Sequence, residues 1–303
     1  MDIAFIGLGH MGGPMAANLV RAGHRVVGFD LVAAANDAAR ENGVEIADSA
    51  AEAAGAAEIV ITMLQQGRQV IEAYRGADGA PGLLASARPG TLFIDSSTIA
   101  VADAREAHRL AAEAGFRSLD APVSGGVVGA EAGTLAFMVG GPPEVFAAAE
   151  PLLHAMGARV VHCGGPGLGQ AAKVCNNLML GISMIGVCEA FVLGERLGLT
   201  HQALFDVASN ASGQCWALTT NCPVPGPVPT SPANHDYRPG FAAALMAKDL
   251  GLAEHAIADT GVHAELGLVA AEVYRRFADG GGAASDFSAI IEEIRQRSGK
   301  ATA

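Results

Sequence analysis

The sequence is short of basic residues, lysine above all. Of its 303 residues, 19 are Lys or Arg and 31 are Asp or Glu, which gives a formal net charge of −12. Such a chain is poorly suited to the phosphate backbone of nucleic acids and to anionic membrane surfaces. We therefore expect no nucleic-acid or membrane partner, and any anionic small molecule must be held by a locally cationic pocket.

Cysteine is also sparse and scattered. The five cysteines form neither a Cys-x-x-Cys pair nor a Cys/His cluster with zinc spacing: Cys163, Cys175, Cys188, Cys215 and Cys222. This pattern predicts no metal site and favours reduced thiols in a cytoplasmic protein. No basic leader precedes the first strand, so we expect no signal peptide.

Disorder is excluded because 50% of the residues are hydrophobic and 17% are charged. One apolar stretch, residues 174–193, is long enough to raise the question of a membrane span. It contains Asn176, Asn177, Ser183 and Glu189. We expect a buried helix there, since an all-round apolar helix suits the centre of a large core.

Strands alternate with helices in the first half of the chain. Strands are predicted over 3–7, 25–30, 58–64, 91–95, 117–121, 135–140 and 159–162, and helices over 11–22, 37–43, 70–74 and 102–114. This alternation is typical of a parallel sheet with helices on both faces. The length of the chain and a glycine cluster over 164–169 predict a domain boundary near residue 165.

The second half is predicted to be helical. Helices are expected over 170–197, 202–210, 240–260 and 266–278. The proline-rich segment 223–232 cannot be helical and is expected to be an extended loop on the surface or at the rim of a cleft. The predicted fold is therefore α/β: a parallel-sheet domain, 1–165, followed by an all-helical domain, 166–303.

The loop after the first strand carries a Gly-x-Gly-x-x-Gly sequence, from Gly7 through His10 and Met11 to Gly12. In this position Gly7 permits a tight turn, Gly9 lets the backbone approach a pyrophosphate, and Gly12 allows close packing of helix and strand. The N-terminus of the following helix favours a phosphate. The motif predicts a dinucleotide cofactor.

Asp30 ends the second strand, where a carboxylate can accept hydrogen bonds from ribose hydroxyls. It would repel the 2′-phosphate of NADP, and no arginine follows it, so we predict NAD. Later strands end at Met63-Leu64 and at Ser97-Thr98, on the edge where ligands gather in such sheets. We expect Met63, Leu64 and Thr98 to lie near the cofactor.

The chain has only three lysines, and two of them lie in apolar surroundings: Lys173 and Lys248. The third, Lys300, is in the C-terminal tail. Buried lysine can lose its proton, whereas arginine cannot, so a retained lysine suggests acid–base chemistry. The alternative is that each side chain reaches from a helix edge into water.

Spacing favours the chemical interpretation for Lys173. Gly169, Lys173 and Asn177 recur every four residues on one stripe of a helix. Gly169 would leave room for a ligand or backbone, and Asn177 would orient the amine. A second segment, Ser124-Gly125-Gly126, follows a predicted strand and offers a hydroxyl and N–H groups to a carboxylate. Alone, it is equally consistent with an ordinary turn.

These motifs together resemble the β-hydroxyacid dehydrogenase family over nearly the whole chain. The segments that carry the resemblance are Phe5-Ile-Gly-Leu-Gly-His-Met-Gly12, Asp95-Ser-Ser-Thr98, Asp120-Ala-Pro-Val-Ser-Gly-Gly126, Gly169-Gln-Ala-Ala-Lys-Val-Cys-Asn-Asn177, Cys215-Trp216, Pro223-Val-Pro-Gly226, Leu245-Met-Ala-Lys-Asp-Leu-Gly-Leu252 and Asp286-Phe-Ser288.

The resemblance implies a Rossmann-type parallel-sheet domain joined by a long helix to the all-helical domain. It also implies an NAD-dependent oxidation of a short 3-hydroxy acid to its semialdehyde in the cleft between the two domains. The favoured substrate is 3-hydroxyisobutyrate, an intermediate of valine catabolism. Lys173 would be the catalytic acid/base, assisted by Asn177. Substrate would contact Ser124, Gly125, Gly126, Trp216 and Asp249, and the cofactor would contact Lys248. The chain is expected to form a homo-oligomer, a dimer or tetramer.

One departure from the family pattern weakens the substrate prediction. Close relatives usually carry Tyr-Asn where this sequence has Asn221-Cys222, in a loop expected to face the substrate. L-Serine, tartronate semialdehyde or another short hydroxy acid therefore stays open as the substrate. A non-catalytic dinucleotide-binding module, a phosphogluconate-type dehydrogenase and an imine reductase are weaker alternatives, because Lys173 is present and the second half has few arginines.

Overall fold

The computed structural model describes residues 1–77 and 79–299; the predicted tail residue Lys300 lies outside this range. The chain divides into two compact units, Met1–Lys173 and Val174–Ala303, which we call the sheet unit and the helical unit.

In its described residues, the sheet unit contains nine strands: β1 Asp2–Ile6, β2 Arg25–Phe29, β3 Glu45–Ile46, β4 Ile59–Thr62, β5 Leu92–Asp95, β6 Arg117–Asp120, β7 Val123–Ser124, β8 Leu135–Gly140 and β9 Gly157–Gly164. The first six form a parallel sheet in the order β3-β2-β1-β4-β5-β6. The predicted parallel sheet is confirmed. At its far edge, however, β8 pairs antiparallel with β6 and β7, and β9 pairs parallel with β8.

Helices cover both faces of this sheet: α1 Gly12–Arg21, α2 Ala33–Glu41, α3 Ala50–Gly55, α4 Gly67–Arg75, α5 Leu83–Ser86, α6 Val101–Glu113, α7 Gly126–Ala132 and α8 Pro143–Leu153. Alternate strand residues separate into two cores. Ile3 and Phe5 join one core, and Ala4 and Ile6 join the other, all at 5% exposure or less. The parallel strands consequently end together on one edge, where loops meet ligands in folds of this kind.

The helical unit contains the helices α9 Leu168–Arg196, α10 His201–Ala208, α11 Trp216–Thr219, α12 Ala243–Thr260, α13 Glu265–Phe277 and α14 Ile290–Arg297. Helix α9 starts six residues before this unit does. Its core contains Met184, Phe191, Met246 and Tyr274 at 1% exposure or less. The predicted helices are present with ends shifted by a few residues. Within the proline-rich segment, which was expected to be an extended loop on the surface or at the rim of a cleft, Val224 is fully buried.

Among the described residues, one helix is long and apolar enough to cross a membrane by length and composition, namely α9. The core helix of a water-soluble protein can have the same length and composition. In the most apolar 18-residue stretch of α9, only 39% is buried within the chain. The expected buried helix is therefore buried only in part: Met179 and Leu193 are 63% and 60% exposed.

Candidate active site

The glycine-rich loop between β1 and α1 is shaped by three glycines. Gly7 has φ +96°, and a Cβ there would lie 2.3 Å from the carbonyl oxygen of Met63. A Cβ on Gly12 would lie 1.9 Å from the carbonyl oxygen of Gly7. Around the position that a Cβ on Gly9 would take, no heavy atom of the described chain other than those of its sequence neighbours lies within 4 Å. Gly7 and Gly12 thus close the turn, and the open side of Gly9 fits the approach of a pyrophosphate.

The residues between these glycines lead into helix α1. His10 is exposed, and Met11 is half-buried at the N-cap, where its side chain makes no capping hydrogen bond. An anion at this helix start would meet the positive end of the helix dipole.

The carboxylate of Asp30 is anchored on the same loop. Oδ2 accepts the N–H of Leu8 at 2.7 Å, and Oδ1 accepts the N–H of Val32 at 2.8 Å. Each oxygen has a second lone pair, so the group can also accept ribose hydroxyls. Leu31 and Val32 are 90% and 60% exposed and uncharged. This neighbourhood suits NAD better than the 2′-phosphate of NADP.

Met63, Leu64 and Thr98 lie half-buried just beyond the ends of β4 and β5. The N–H of Leu64 donates to Oγ of Ser97 at 2.8 Å, and that hydroxyl donates to Oδ1 of Asp95 at 2.6 Å. These bonds hold the two strand ends together at the edge that also carries Gly7.

Asp95 is a buried carboxyl group with unequal oxygens. Oδ1 accepts from Thr62 and Ser97, whereas Oδ2 has no hydrogen-bond partner among the described residues. Burial raises the pKa of this carboxyl above its ordinary value, although the hydrogen bonds from Ser97 and Thr62 act in the opposite direction. It also lines a cavity of about 10 Å³.

Lys173 lies near the start of helix α9 and is 7% exposed. One turn earlier, the fully buried Gln170 attaches this helix to the end of β5. Its Nε2 donates to the carbonyl oxygen of Ser97 at 2.6 Å, and its Oε1 accepts the N–H of Ile99 at 3.2 Å. The first turn of the helix that carries the lysine is thus fixed to the edge of the sheet at which the parallel strands end.

Gly169, on the same stripe as Lys173, allows close packing of backbone. A Cβ there would lie 2.4 Å from the carbonyl oxygen of Met138 in β8. Of the two uses predicted for this glycine, room for a ligand or room for backbone, the structure has the second.

The Ser124-Gly125-Gly126 segment forms a turn between β7 and α7. Gly125 has φ +135° and Gly126 has φ +64°, conformations that favour glycine. Ser124 is half-buried and Gly125 is exposed. The turn therefore needs both glycines, and carboxylate binding by it stays a prediction.

Within the helical unit, Asn177 and Asp249 form a buried pair. Nδ2 of Asn177 donates to Oδ2 of Asp249 at 2.6 Å, and the two residues are 1% and 4% exposed. Nζ of Lys248 lies 3.2 Å from Oδ1 of Asp249. Three of the predicted site residues are thereby brought together on α9 and α12.

The side chains of the segment around Trp216 differ in their burial. Trp216 is 51% exposed at the start of α11. Asn221 is buried and its Nδ2 donates to Oδ1 of Asp286 at 3.1 Å, and Cys222 is fully buried in the core of the helical unit. Both side chains are thus used inside this unit, and the placement of their loop at the substrate stays a prediction.

Gln170 and Asp120 have no assigned role in the sequence-based prediction, although both lie in its motifs. The available signal was position: Asp120 ends a strand at the edge where ligands are expected, and Gln170 precedes Lys173 by one turn.

In residues 1–77 and 79–299, no group of three or more His, Cys, Asp or Glu side chains is placed to hold a metal ion.

Two family models match the chain. The NAD binding domain of 6-phosphogluconate dehydrogenase matches residues 2–165, and the NAD-binding model of NADP-dependent 3-hydroxyisobutyrate dehydrogenase matches residues 167–294.

Named relatives match over nearly their full length. A probable 3-hydroxyisobutyrate dehydrogenase of Mycobacterium tuberculosis is 57% identical over 295 residues, which cover 97% of this chain and 98% of that protein. An NAD-dependent L-serine dehydrogenase of Pseudomonas aeruginosa is 47% identical over 289 residues, covering 95% and 96%. A solved structure of the M. tuberculosis 3-hydroxyisobutyrate dehydrogenase with L-serine has a TM-score of 0.91 at 57% identity, covering 97% and 98%.

The sheet, its glycine loop and these matches define an NAD-dependent oxidoreductase. The chain belongs to the β-hydroxyacid dehydrogenase family, close to the 3-hydroxyisobutyrate dehydrogenases. The predicted fold class, 3-hydroxyacid dehydrogenase type and NAD cofactor are confirmed.

Proposed function

We propose that this enzyme oxidises a short 3-hydroxy acid, with 3-hydroxyisobutyrate and methylmalonate semialdehyde as its preferred pair, and that Lys173 is the general acid/base. The observation that carries the proposal is the burial of Lys173, which is 7% exposed in a chain whose other basic residues are nearly all arginine. The names of the relatives support the substrate class.

NAD, when bound, supplies the acceptor for the hydride that leaves the hydroxyl-bearing carbon. The sheet domain, proposed as residues 1–165, would bind it through the open backbone at Gly9 and the Asp30 carboxylate. The further proposed cofactor contacts are Gly7, His10, Met11, Gly12, Met63, Leu64, Thr98 and Lys248. The helical domain, proposed as residues 166–303, would serve the substrate and oligomer contacts.

The proton is handled by the chain's own side chains. In the direction of oxidation, the neutral amine of Lys173 accepts the proton of the substrate hydroxyl; in reduction, the ammonium form returns it. Such general acid–base help is typically worth about 10²–10⁴ in rate. Asn177, held by Asp249 at 2.6 Å, would orient the reacting groups.

The substrate carboxylate would be held by Ser124, Gly125 and Gly126. Their turn offers a hydroxyl and backbone N–H groups, which suit an anion. Trp216, which is half exposed, would line the substrate pocket together with Asp249. Holding the carboxylate fixes the distance from the anchored end of the acid to the hydroxyl, so acids of one length are favoured.

L-Serine is the second candidate substrate. It is also a short 3-hydroxy acid, and it differs from 3-hydroxyisobutyrate by carrying an ammonium group instead of a methyl group. Two findings favour it: the 47% identity to a protein named NAD-dependent L-serine dehydrogenase, and the 57% identical structure described with L-serine.

We also propose that the enzyme is a cytoplasmic homo-oligomer, a dimer or a tetramer. Apolar side chains on α9 and α13 are exposed in the single chain: Met179, Leu193, Leu266 and Val269, at 55% to 67% exposure. A second copy would cover them, and sedimentation equilibrium tests this. The five free cysteines fit a reducing compartment.

The test combines a substrate panel with one variant. Rates with 3-hydroxyisobutyrate, L-serine and tartronate semialdehyde, each with the NAD and the NADP coenzyme pair, give the preferences. Lys173→Ala should lower kcat at least 100-fold while NADH still binds. Lys300→Ala, which removes a lysine without a proposed role, is the matched control. A near-normal rate in Lys173→Ala would refute the assignment.

A further inference from the structure

Asp120 ends strand β6, and its buried carboxylate meets the start of helix α9. Oδ1 accepts the N–H of Gly167 at 2.8 Å, and Oδ2 accepts the N–H of Gln170 at 2.9 Å. These two groups stand at the N-cap and in the first turn, where a helix has no internal acceptor for them. A negative charge there also complements the helix dipole. A strand of the sheet thus caps the helix that carries Lys173.

Two glycines leave space for this carboxylate. A Cβ on Gly140 of β8 would lie 2.4 Å from Oδ1 of Asp120, and a Cβ on Gly169 of α9 would lie 2.8 Å from its Oδ2. The carboxylate is therefore enclosed between a strand and a helix that have no side chain at the point of contact. Its position has little freedom to vary.

His108 of helix α6 holds Asp120 from the other side. Its Nε2 lies 2.9 Å from Oδ1 of Asp120, and its Nδ1 lies 2.7 Å from Oγ of Ser118. Since a carboxylate only accepts hydrogen bonds, Nε2 is the donor to Asp120. His108 is nearly buried, with its side chain 10% exposed. The series Ser118, His108, Asp120 ends at the first turn of α9.

We infer that Asp120, supported by His108, is a positioning residue that sets the place of the Lys173 amine by capping helix α9. Lys173 follows Gln170 by three residues, about 4.5 Å along the helix axis. A helix is stiff over this distance, so a shift of its first turn is passed on to the lysine. The inference rests on the proposed role of Lys173 and adds two residues that need not touch the substrate.

Displacement of an acid/base group by about 1 Å can lower a rate by about 100-fold. Asp120→Asn keeps the size of the side chain and one acceptor oxygen but loses the charge and the second acceptor. We expect this variant to lower kcat by 10- to 100-fold and to change the KM for NAD by less than twofold, because the glycine loop is untouched.

The decisive experiment removes the lysine from the helix. In Lys173→Ala, methylamine is added as a mobile replacement for the missing amine, and kcat is measured with and without Asp120→Asn. A free amine finds its own position, so Asp120→Asn should cost less than twofold in this restored background. A residue with a general structural role would cause the same loss in both backgrounds.

The results separate the two claims. An equal loss in both backgrounds, or no loss of kcat in Asp120→Asn, would overturn the positioning role while leaving the proposed function intact. A near-normal rate in Lys173→Ala without methylamine would instead remove the proposed function itself.

A second variant and a second measurement keep the inference testable if Asp120→Asn does not fold or if methylamine does not restore the rate. His108→Gln keeps Asp120 in place and should lower kcat by three- to tenfold, again without changing the KM for NAD. If methylamine restores no rate, the primary deuterium isotope effect on kcat is measured for either variant. It should rise if the amine is misplaced. An unchanged isotope effect would contradict the inference, because a smaller folded fraction does not alter this quantity.

Discussion

Asn177 and Asp249 are joined by a hydrogen bond of 2.6 Å in which the amide nitrogen is the donor. The acceptor carboxylate also lies 3.2 Å from Nζ of Lys248. On the opposite side of the amide, Oδ1 of Asn177 accepts from Asn176 at 3.0 Å. Because a carboxylate only accepts, Asp249 determines which way the Asn177 amide faces.

Replacing Asp249 therefore tests the orientation of Asn177. Asp249→Ala should lower kcat by about tenfold or more and lower the free energy of unfolding by about 1–3 kcal/mol, since a buried amide loses its acceptor. Asp249→Asn retains one acceptor oxygen and should lie closer to the wild type in both measurements. Equal effects of the two replacements on kcat would contradict this explanation.

Two glycines of the cofactor loop, Gly9 and Gly12, should respond differently to a methyl group. Gly9→Ala should fold normally but bind NADH at least tenfold more weakly, because the added Cβ occupies open space that fits the pyrophosphate. Gly12→Ala should lower the Tm, because its Cβ would lie 1.9 Å from a backbone oxygen. Fluorescence titration with NADH and thermal melting measure the two effects. The prediction fails if Gly9→Ala binds NADH as the wild type does.

Coenzyme preference should depend on the charge at Asp30. In the double variant Asp30→Asn with Leu31→Arg, a repulsive carboxylate is lost and a cation is gained beside the expected 2′-phosphate. We expect the ratio of kcat/KM for NADP to that for NAD to rise at least 100-fold, which corresponds to about 2.7 kcal/mol. Asp37→Asn removes an equal charge nearby, from an exposed pair with Arg40, and serves as the control. An unchanged ratio would refute the role given to Asp30.

The carboxyl group of Asp95 should make the free energy of unfolding fall as the pH rises. Burial raises the pKa of its carboxyl, so the folded chain holds this proton more tightly than the unfolded chain does. The resulting stabilisation is complete below the ordinary pKa of 3.8 and is lost as the pH rises through the folded value. One proton changes the free energy of unfolding by at most about 1.4 kcal/mol per pH unit.

Asp95→Asn removes this dependence. Oδ1 can still accept from Thr62 and Ser97, and Nδ2 would face the small cavity that Asp120 also lines. The stability of the variant relative to the wild type should therefore increase from pH 4 to pH 7. Urea unfolding at several pH values measures it, and parallel curves for the two proteins would contradict the prediction.

The local features with strong sequence signals were predictable. The glycine loop at Gly7 combines a strand, fixed glycine spacing and a helix, so its turn follows from the motif. Lys173 was found because lysine is scarce in this chain. The first signal lies within a few consecutive residues and the second in the composition of the chain, so neither depends on distant packing.

Other features depend on pairings across the chain and gave no local signal. Strands β3 and β7 have two residues each, too few for any periodicity. The burial of Asn221 depends on Asp286, which lies 65 residues away. The cap by Asp120 depends on the N–H of Gly167, which lies 47 residues later. These contacts exist only once the sheet and helices have assembled.

The contact between Gly140 and Asp120 has a consequence for inherited variation. Gly140 carries no functional group, yet even the smallest side chain at this position would displace the carboxylate beneath the first turn of α9. Harmful changes in such an enzyme are therefore to be sought not only among reactive side chains but also at positions where a bare hydrogen atom is the only substituent that fits.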